Sequence, residues 1–205
     1  ENNIQIIILD RPNPNGHYID GPIRKKGYES FVGMHPVPIV HAMTIGEYAK
    51  MINGENWIVN KCNLTIIEMK NYTHVLHYDP PIKPSPNLPN SKSINLYPSL
   101  CLFEGTTVSI GRGTDYPFQQ FGNPYFESDY SFTPKSGTGS KYPKHENTTC
   151  FGTDLRFQDN YLTEINLDWL IETYNNYPQK EKFFNNFFDK LAGTNKLRLQ
   201  IINGK

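Results

Sequence analysis

The sequence of 205 residues has few cysteines, no net charge and no long apolar run. Cys62, Cys101 and Cys150 are an odd number without C-x-x-C spacing, which argues against a disulfide framework or a zinc site. Twenty basic residues balance twenty acidic ones, so we expect no nucleic-acid partner and no polybasic contact with a membrane. No window approaches the roughly 18 consecutive apolar residues of a membrane span. These absences leave a globular protein whose length suffices for one sizeable core or two small ones.

Motifs for several familiar reactions are also missing. GRGTDY lacks the third glycine of a dinucleotide-binding loop, SGTGSK lacks the spacing of a phosphate-binding loop, and neither H-E-x-x-H nor G-x-S-x-G occurs. His74 and His77 lie in a predicted strand end, where residues three apart point to opposite faces and share no metal. We therefore expect neither a metal nor a cofactor.

The order of apolar segments and turn residues predicts an α/β fold with α+β character. Thr44 and Glu47 have the spacing of a capping box, so a helix should begin there and end near Gly54. A short helix is expected within 91–105, broken near Pro98. Strands are predicted at 4–9, 63–70, 106–111 and roughly 149–156, and two further helices at LDWLIETYNNY and KFFNNFFDKLAG.

The first predicted strand is apolar on both faces. Ile4 and Ile6–Leu9 form a nearly continuous run, a pattern typical of a strand buried inside a parallel sheet. Such a strand needs parallel neighbours and covering helices, and few other strands of this quality occur in the chain. We therefore expect the sequence to be a fragment, with further strands and a signal peptide upstream.

Long loops, among them 78–90 and 113–148, are rich in proline, glycine and aromatic residues. Loops longer than about 12–15 residues are mostly functional or disordered. Their aromatic and proline content favours order. Ordered loops along one edge of an α/β layer form a cleft, which is where we expect the ligand.

The stretch LCLFEGTTVSIGRGT places a carboxylate and an arginine at the two ends of a predicted strand. Glu104 follows an apolar run and precedes a glycine, while Arg112 lies between two glycines. Glycine is used where the chain needs a positive φ or where another group comes close to the backbone. Two interpretations stay open: a ligand site, or a structural carboxylate and a buried Arg112–Glu104 ion pair.

Further candidate side chains lie near the first strand and before the first helix. Asp10, Arg11 and Asn13 follow the strand at its carboxyl end, where open α/β sheets place ligands. Asp and Asn also build turns for their own backbone, so that alternative remains. His41 either contacts a ligand or bonds to the backbone of its own loop.

Five segments resemble, in this order, the exo-lytic β-N-acetylmuramidase (NamZ-like) family, long catalogued as a bacterial domain of unknown function. They are LDRPNPNG, SFVG with PVPIVHAMTIGEYAKMIN, PSPNLPN, YPSLCLFEGTTVSIGRGTDYPFQQFGNPY and CFGTDLR. The resemblance extends from Leu9 to about Gly204. It departs at Ala42, where the family more often has glycine, and at Thr107, where asparagine is common. Neither difference removes a charged group.

The resemblance implies a secreted or periplasmic glycosidase that releases N-acetylmuramic acid from the non-reducing end of peptidoglycan fragments. It implies a Rossmann-like N-terminal subdomain, whose last strand would be supplied by residues 1–22, and a smaller C-terminal subdomain in residues 23–205. The active site would lie in the cleft between them. A Glu-His-Gly segment expected to hold a catalytic carboxylate would lie upstream, so the fragment alone should be inactive.

In such an enzyme Glu104 would be the acid or nucleophile, because glycoside cleavage normally uses two carboxyl groups. Arg112 would pair with the lactyl carboxylate of N-acetylmuramic acid. Asn87 would offer its amide to sugar hydroxyl groups or merely close its loop, and Asp154 and Arg156 are expected to be a structural pair. A carbohydrate- or cell-wall-binding module without catalysis would have the same composition and is the alternative.

Overall fold

The computed structural model describes residues 4–158 and 161–204 and confirms a mixed α/β fold. Within these residues, seven strands form three small sheets, and five α-helices pack around them. The elements are β1 Ile6–Leu9, β2 Asp20–Ile23, β3 Pro38–Val40, α1 Ile45–Gly54, β4 Leu64–Ile67, α2 Ser91–Leu100, β5 Gln120–Asn123, β6 Ser131–Phe132, β7 Cys150–Asp154, α3 Asp168–Asn176, α4 Phe188–Ala192 and α5 Lys196–Ile202. Short 3-10 helices cover Cys101–Gly105 and Lys180–Lys182.

Strand β1 pairs in parallel with β4, in a register that joins Ile6 to Leu64 and Leu9 to Ile67. The parallel arrangement agrees with the sequence-based expectation. Ile7 is 58% exposed and Leu9 67% exposed, which agrees with the expectation that this strand needs further neighbours and covering helices to bury both faces. Within the described residues, β4 is the one strand that pairs with β1.

Helix α1 begins as predicted. The Thr44 side chain accepts from the backbone of Glu47, and the Glu47 side chain accepts in return from the Thr44 backbone, which completes the capping box. Asp10 adds a second cap from the end of β1: its carboxylate accepts from the Gly46 amide at 2.8 Å and from the Thr44 hydroxyl at 2.7 Å. A carboxylate at a helix N-terminus satisfies amides that lack helical partners. Asp10 therefore ties β1 to α1.

Helix α2 does not break at Pro98, contrary to the prediction. Proline has no N–H, so the carbonyl of Ile94 loses its usual donor in the helix. The side-chain amide of Asn15 replaces that donor, with its Nδ2 at 2.9 Å from the Ile94 oxygen. The helix continues to Leu100 and tightens into the 3-10 turn Cys101–Gly105.

The segment 106–111 is not the strand that its β-branched residues predicted. It makes isolated bridges to two different partners, Thr106 to Phe184 and Ser109 to Gly122, rather than a continuous ladder. Strand β7 matches its prediction closely and pairs antiparallel with both β5 and β6, neither of which was predicted. The segment 106–111 therefore lies between the three-stranded sheet and the C-terminal helices.

The main core lies where α2 and its 3-10 extension meet the C-terminal helices. Helix α3 agrees with its prediction, whereas the single helix predicted over KFFNNFFDKLAG is interrupted by a turn at Asn185, whose side chain accepts from the Phe187 amide at 2.8 Å. Fully buried side chains of this core are Leu100, Leu102, Phe103, Val108, Phe118, Leu170, Phe183 and Phe188. Gly105 allows the close contact, because a Cβ there would lie 2.5 Å from the Phe188 Cα.

The Asp10 geometry yields a prediction that separates a cap from a ligand contact. Asp10→Ala should lower the free energy of unfolding by about 1–2 kcal/mol, because two buried donors at the start of α1 lose their acceptor. Urea denaturation measures this. Glu68→Ala, which removes an exposed pair with Lys50, is the control and should change stability by less than about 0.5 kcal/mol. Unchanged stability with weaker saccharide binding in Asp10→Ala would contradict the capping role.

Candidate functional site

Glu104 lies in the 3-10 turn that follows α2, not at the mouth of a strand as predicted. Its carboxylate accepts a hydrogen bond from Arg112 Nη2 at 2.7 Å. The two side chains are 28% and 33% exposed, respectively. The ion pair that the sequence left open is therefore present, and both partners remain accessible from solvent.

The glycines around Arg112 have the roles that the sequence suggested. Gly111 and Gly113 both have positive φ, at 76° and 81°. A Cβ at Gly113 would lie 2.5 Å from the backbone oxygen of Lys135, so the chain passes too close there for any side chain. This turn directs Arg112 towards Glu104, with its guanidinium 5.0 Å from the Phe118 ring centre.

Lys144 was missed by the sequence analysis and lies next to this pair. Its ammonium group donates to the backbone oxygens of Phe103, Thr106 and Val108 at 3.2, 2.6 and 2.9 Å. Burial lowers the pKa of Lys144 to about 8, and the negative charge of Glu104 opposes that change. No local signal marks this lysine, because it lies in a Gly/Pro/Tyr-rich loop some 40 residues from its partners.

Tyr97 completes the group from the face of α2. Its ring packs against Phe118 with 4.8 Å between ring centres. Burial raises the pKa of Tyr97 to about 12, and the Glu104 charge adds to the increase. Tyr97 therefore stays a neutral hydroxyl at physiological pH. We call Tyr97, Glu104, Arg112 and Lys144 the Glu104 cluster.

Three other predicted residues meet around the loop before α1, each bound to protein. Asp10 caps α1, and Asn13 Nδ2 donates to the Met43 oxygen at 3.0 Å. His41 Nδ1 accepts from the Met43 amide at 3.1 Å, its ring stacks on Tyr48, and burial lowers the pKa of His41. The observed contacts of Asp10, Asn13 and His41 thus agree with the alternatives in which these side chains bond to the protein itself. Arg11 lies beside them along a shallow cleft of about 380 Å³.

Asn87 lies in a different place. Its Nδ2 donates to the Gly139 oxygen at 2.8 Å, which closes the loop 78–90 against the loop 113–148. It also lines a cleft of about 680 Å³ together with Arg156, whose partner is Asp154 as the sequence predicted. The structure therefore distributes the predicted residues over three places rather than one.

His74 and His77 have different partners. His74 contacts Glu47 at 3.0 Å, and His77 contacts Asp79 at 2.9 Å. Across residues 4–158 and 161–204, no three His, Cys, Asp or Glu side chains are grouped so that they could hold a metal ion. Within the same ranges, no helix has the length and apolar character needed to cross a membrane.

The Lys144 environment generates a pH-dependent prediction. A lysine with a folded-state pKa of about 8 releases its proton in the folded protein while the unfolded chain, with an ordinary pKa near 10.4, keeps it. The unfolded state then binds more protons, so the contribution of Lys144 to stability rises between about pH 8 and pH 10. The unfolding free energy of the natural protein, relative to Lys144→Met, should increase by about 2 kcal/mol from pH 7 to pH 9.5.

Urea denaturation of both proteins at the two pH values measures that difference. Lys144→Met leaves the other titrating groups in place, so their effects cancel in the comparison. A difference that stays constant with pH would show that Lys144 keeps its charge throughout.

Two family models match the chain and between them account for nearly all of it. Residues 1–92 match the model described as exo-beta-N-acetylmuramidase NamZ, N-terminal, and residues 95–205 match the one described as its C-terminal part. Among curated proteins, the chain is 37% identical over 231 residues to the peptidoglycan beta-N-acetylmuramidase NamZ of Bacillus subtilis (strain 168). The alignment covers 100% of this chain and 54% of that protein, so the chain spans about half of its relative's length.

Two solved structures of bacterial proteins also match the chain. A crystal structure of a DUF1343 family protein from Bacteroides fragilis NCTC 9343 matches with a TM-score of 0.94 and 52% identity, covering 98% of this chain and 59% of that one. A second DUF1343 family protein from the same strain matches with a TM-score of 0.78 and 26% identity over the same shares. The resemblance drawn from the five sequence segments is thereby confirmed: this chain belongs to the NamZ exo-β-N-acetylmuramidase family.

Proposed function

We propose that this chain forms part of the active-site cleft of a peptidoglycan glycosidase, an exo-β-N-acetylmuramidase that releases N-acetylmuramic acid from non-reducing ends. Membership of the family supports the reaction, since the curated Bacillus relative is a peptidoglycan beta-N-acetylmuramidase. The observation that carries the proposal for this chain is the solvent-accessible Glu104–Arg112 pair. Glu104 supplies a carboxyl group that can act on a glycosidic bond, and Arg112 supplies a positive charge that can hold a carboxylate.

Glu104 is the proposed acid or nucleophile. Glycosidases of this kind use two carboxyl groups on opposite sides of the scissile bond. We propose that the second carboxyl group comes from the portion of the full-length protein that corresponds to the unmatched half of the relatives. Lys144 keeps Glu104 in place, because its ammonium group binds carbonyls on both sides of residue 104.

Arg112 is the proposed contact for the lactyl carboxylate that distinguishes N-acetylmuramic acid from N-acetylglucosamine. In this structure Arg112 binds Glu104 through one short hydrogen bond at 2.7 Å. An incoming carboxylate competes for the same guanidinium, and planar guanidinium groups favour bidentate partners. Substrate binding would thus draw Arg112 away from Glu104 and free that side chain for its role at the bond.

Location and architecture follow from the same proposal. Peptidoglycan lies outside the cytoplasmic membrane, so the full-length protein is proposed to be secreted or periplasmic. The exposed apolar side chains of β1 support a place for this strand in a larger, Rossmann-like parallel sheet.

The predicted boundary after residue 22 remains a prediction. Loss of the catalytic role would leave the alternative, a carbohydrate-binding module on the same fold.

The role of Glu104 is tested by Glu104→Gln in the full-length protein. This change keeps the size of the side chain and removes its acid, so kcat should fall by about 10²-fold or more. Release of N-acetylmuramic acid from a disaccharide substrate is the assay. Glu164→Gln, at an exposed position away from the cluster, is the matched control and should keep normal activity. Normal kcat in a folded Glu104→Gln protein would refute the assignment.

A further inference from the structure

A cleft between the loop 113–148 and the end of the loop 78–90 lies outside the Glu104 cluster. It has a volume of about 680 Å³, and its walls come from the turn after Arg112, the residues of β6 and the loop that follows them. Neither Glu104 nor Arg112 belongs to its described lining. The two places are linked by the chain itself, because Arg112 pairs with Glu104 while Gly113 and Thr114 line the cleft.

Arg156 lines this cleft and is held in an ion pair by Asp154. Arg156 Nε donates to both Asp154 oxygens at 2.9 and 3.1 Å, and Nη2 donates to Asp154 Oδ2 at 2.7 Å. The guanidinium lies 4.3 Å from the centre of the Tyr116 ring, which lines the same cleft. The Arg156 guanidinium thus lies over the ring of Tyr116, and Tyr116 remains 40% exposed.

The floor of the cleft is equally fixed. Gln120 is buried, and its Nε2 donates to the Thr114 hydroxyl at 2.6 Å while its Oε1 accepts from the Tyr130 hydroxyl. Asn87, at the rim, is held by its bond to Gly139. Polar groups whose positions are set before a ligand arrives lose little conformational entropy on binding.

The charges of the cleft favour a neutral ligand. Arg156 is neutralised by Asp154, and the lining contains Lys135 and Asp115 as one further charge of each sign. Strand β6, at the edge of its sheet, has two residues, which is too short for an extended peptide to add to the sheet as a further strand. An aromatic ring beside planar, pre-positioned hydrogen-bonding groups instead matches a sugar ring, which presents C–H groups on its face and hydroxyl groups around its rim.

We propose that this cleft binds a neutral sugar ring of the glycan, at a position separate from the Glu104 cluster. Tyr116 stacks on the ring, and Arg156 and Asn87 lie beside its hydroxyl groups. The assignment of that ring to an N-acetylglucosamine unit of peptidoglycan rests on the proposed function. Such a position makes the enzyme sensitive to the length of the glycan fragment as well as to its terminal sugar.

The test is calorimetric titration of the full-length protein with chitotetraose, a neutral N-acetylglucosamine tetramer. Tyr116→Ala should weaken binding by about tenfold or more, because the sugar loses the aromatic ring on which it stacks. Tyr116→Phe keeps the ring and should bind nearly as well as the natural protein. Tyr142→Ala removes an exposed tyrosine outside the cleft and is the matched control.

A second variant, which fills the cleft, keeps the proposal testable if Tyr116→Ala fails to fold. Thr138 is an exposed residue of the lining, so Thr138→Trp should block the sugar without disturbing the core. Equal affinity of the natural protein, Tyr116→Ala and Thr138→Trp would overturn the proposal, as would the absence of any binding at millimolar chitotetraose. Loss of tetramer binding in Glu104→Gln but in neither cleft variant would also overturn it and would assign the sugar to the Glu104 cluster.

The activity assay keeps this proposal apart from the proposed function. For a long glycan fragment, Tyr116→Ala should raise KM, whereas Glu104→Gln should lower kcat on a disaccharide as well. Normal disaccharide turnover in Glu104→Gln would refute the catalytic assignment and leave the sugar-binding cleft standing.

Discussion

The ammonium group of Lys144 fixes the segment 103–108, which carries Glu104. Residues 103–108 form neither a complete helix nor a strand, and three of their carbonyl groups find their donor in this one side chain. Burying a charge is costly unless it is hydrogen-bonded, and here the three carbonyls and the nearby Glu104 carboxylate offset that cost. Glu104 therefore projects from an irregular segment that is nevertheless fixed at both ends.

Two of the arginine–carboxylate pairs, Arg112–Glu104 and Arg156–Asp154, differ in a way that suits different roles. Arg156 makes three side-chain hydrogen bonds to Asp154 and lies against the Tyr116 ring, so several contacts fix its position. Arg112 makes one such bond to Glu104 in the described structure, from a turn shaped by two glycines. A pair with one bond exchanges partners more easily, which is what the recognition of a substrate carboxylate requires.

Local signals predicted the parts of the fold that local chemistry determines. The capping box of α1 needs two residues three apart, and the glycines beside Arg112 needed no partner to be recognised. The errors came from distant residues. Asn15 satisfies the helix at Pro98 from 79 positions away, and the partners of 106–111 lie on two separate elements. Lys144 could not be predicted either, because it lies far from Phe103 in the sequence and no spacing rule links the two residues.

The proposed selection of the lactyl carboxylate by Arg112 is tested with Arg112→Lys in the full-length protein. The measurement is the ratio of kcat/KM for a substrate ending in N-acetylmuramic acid to that for one ending in N-acetylglucosamine. Lysine keeps the charge but loses the planar fork, so the ratio should fall by about tenfold or more while the melting temperature changes little. An unchanged ratio with a lowered melting temperature would contradict the account and leave Arg112 as a structural partner of Glu104 alone.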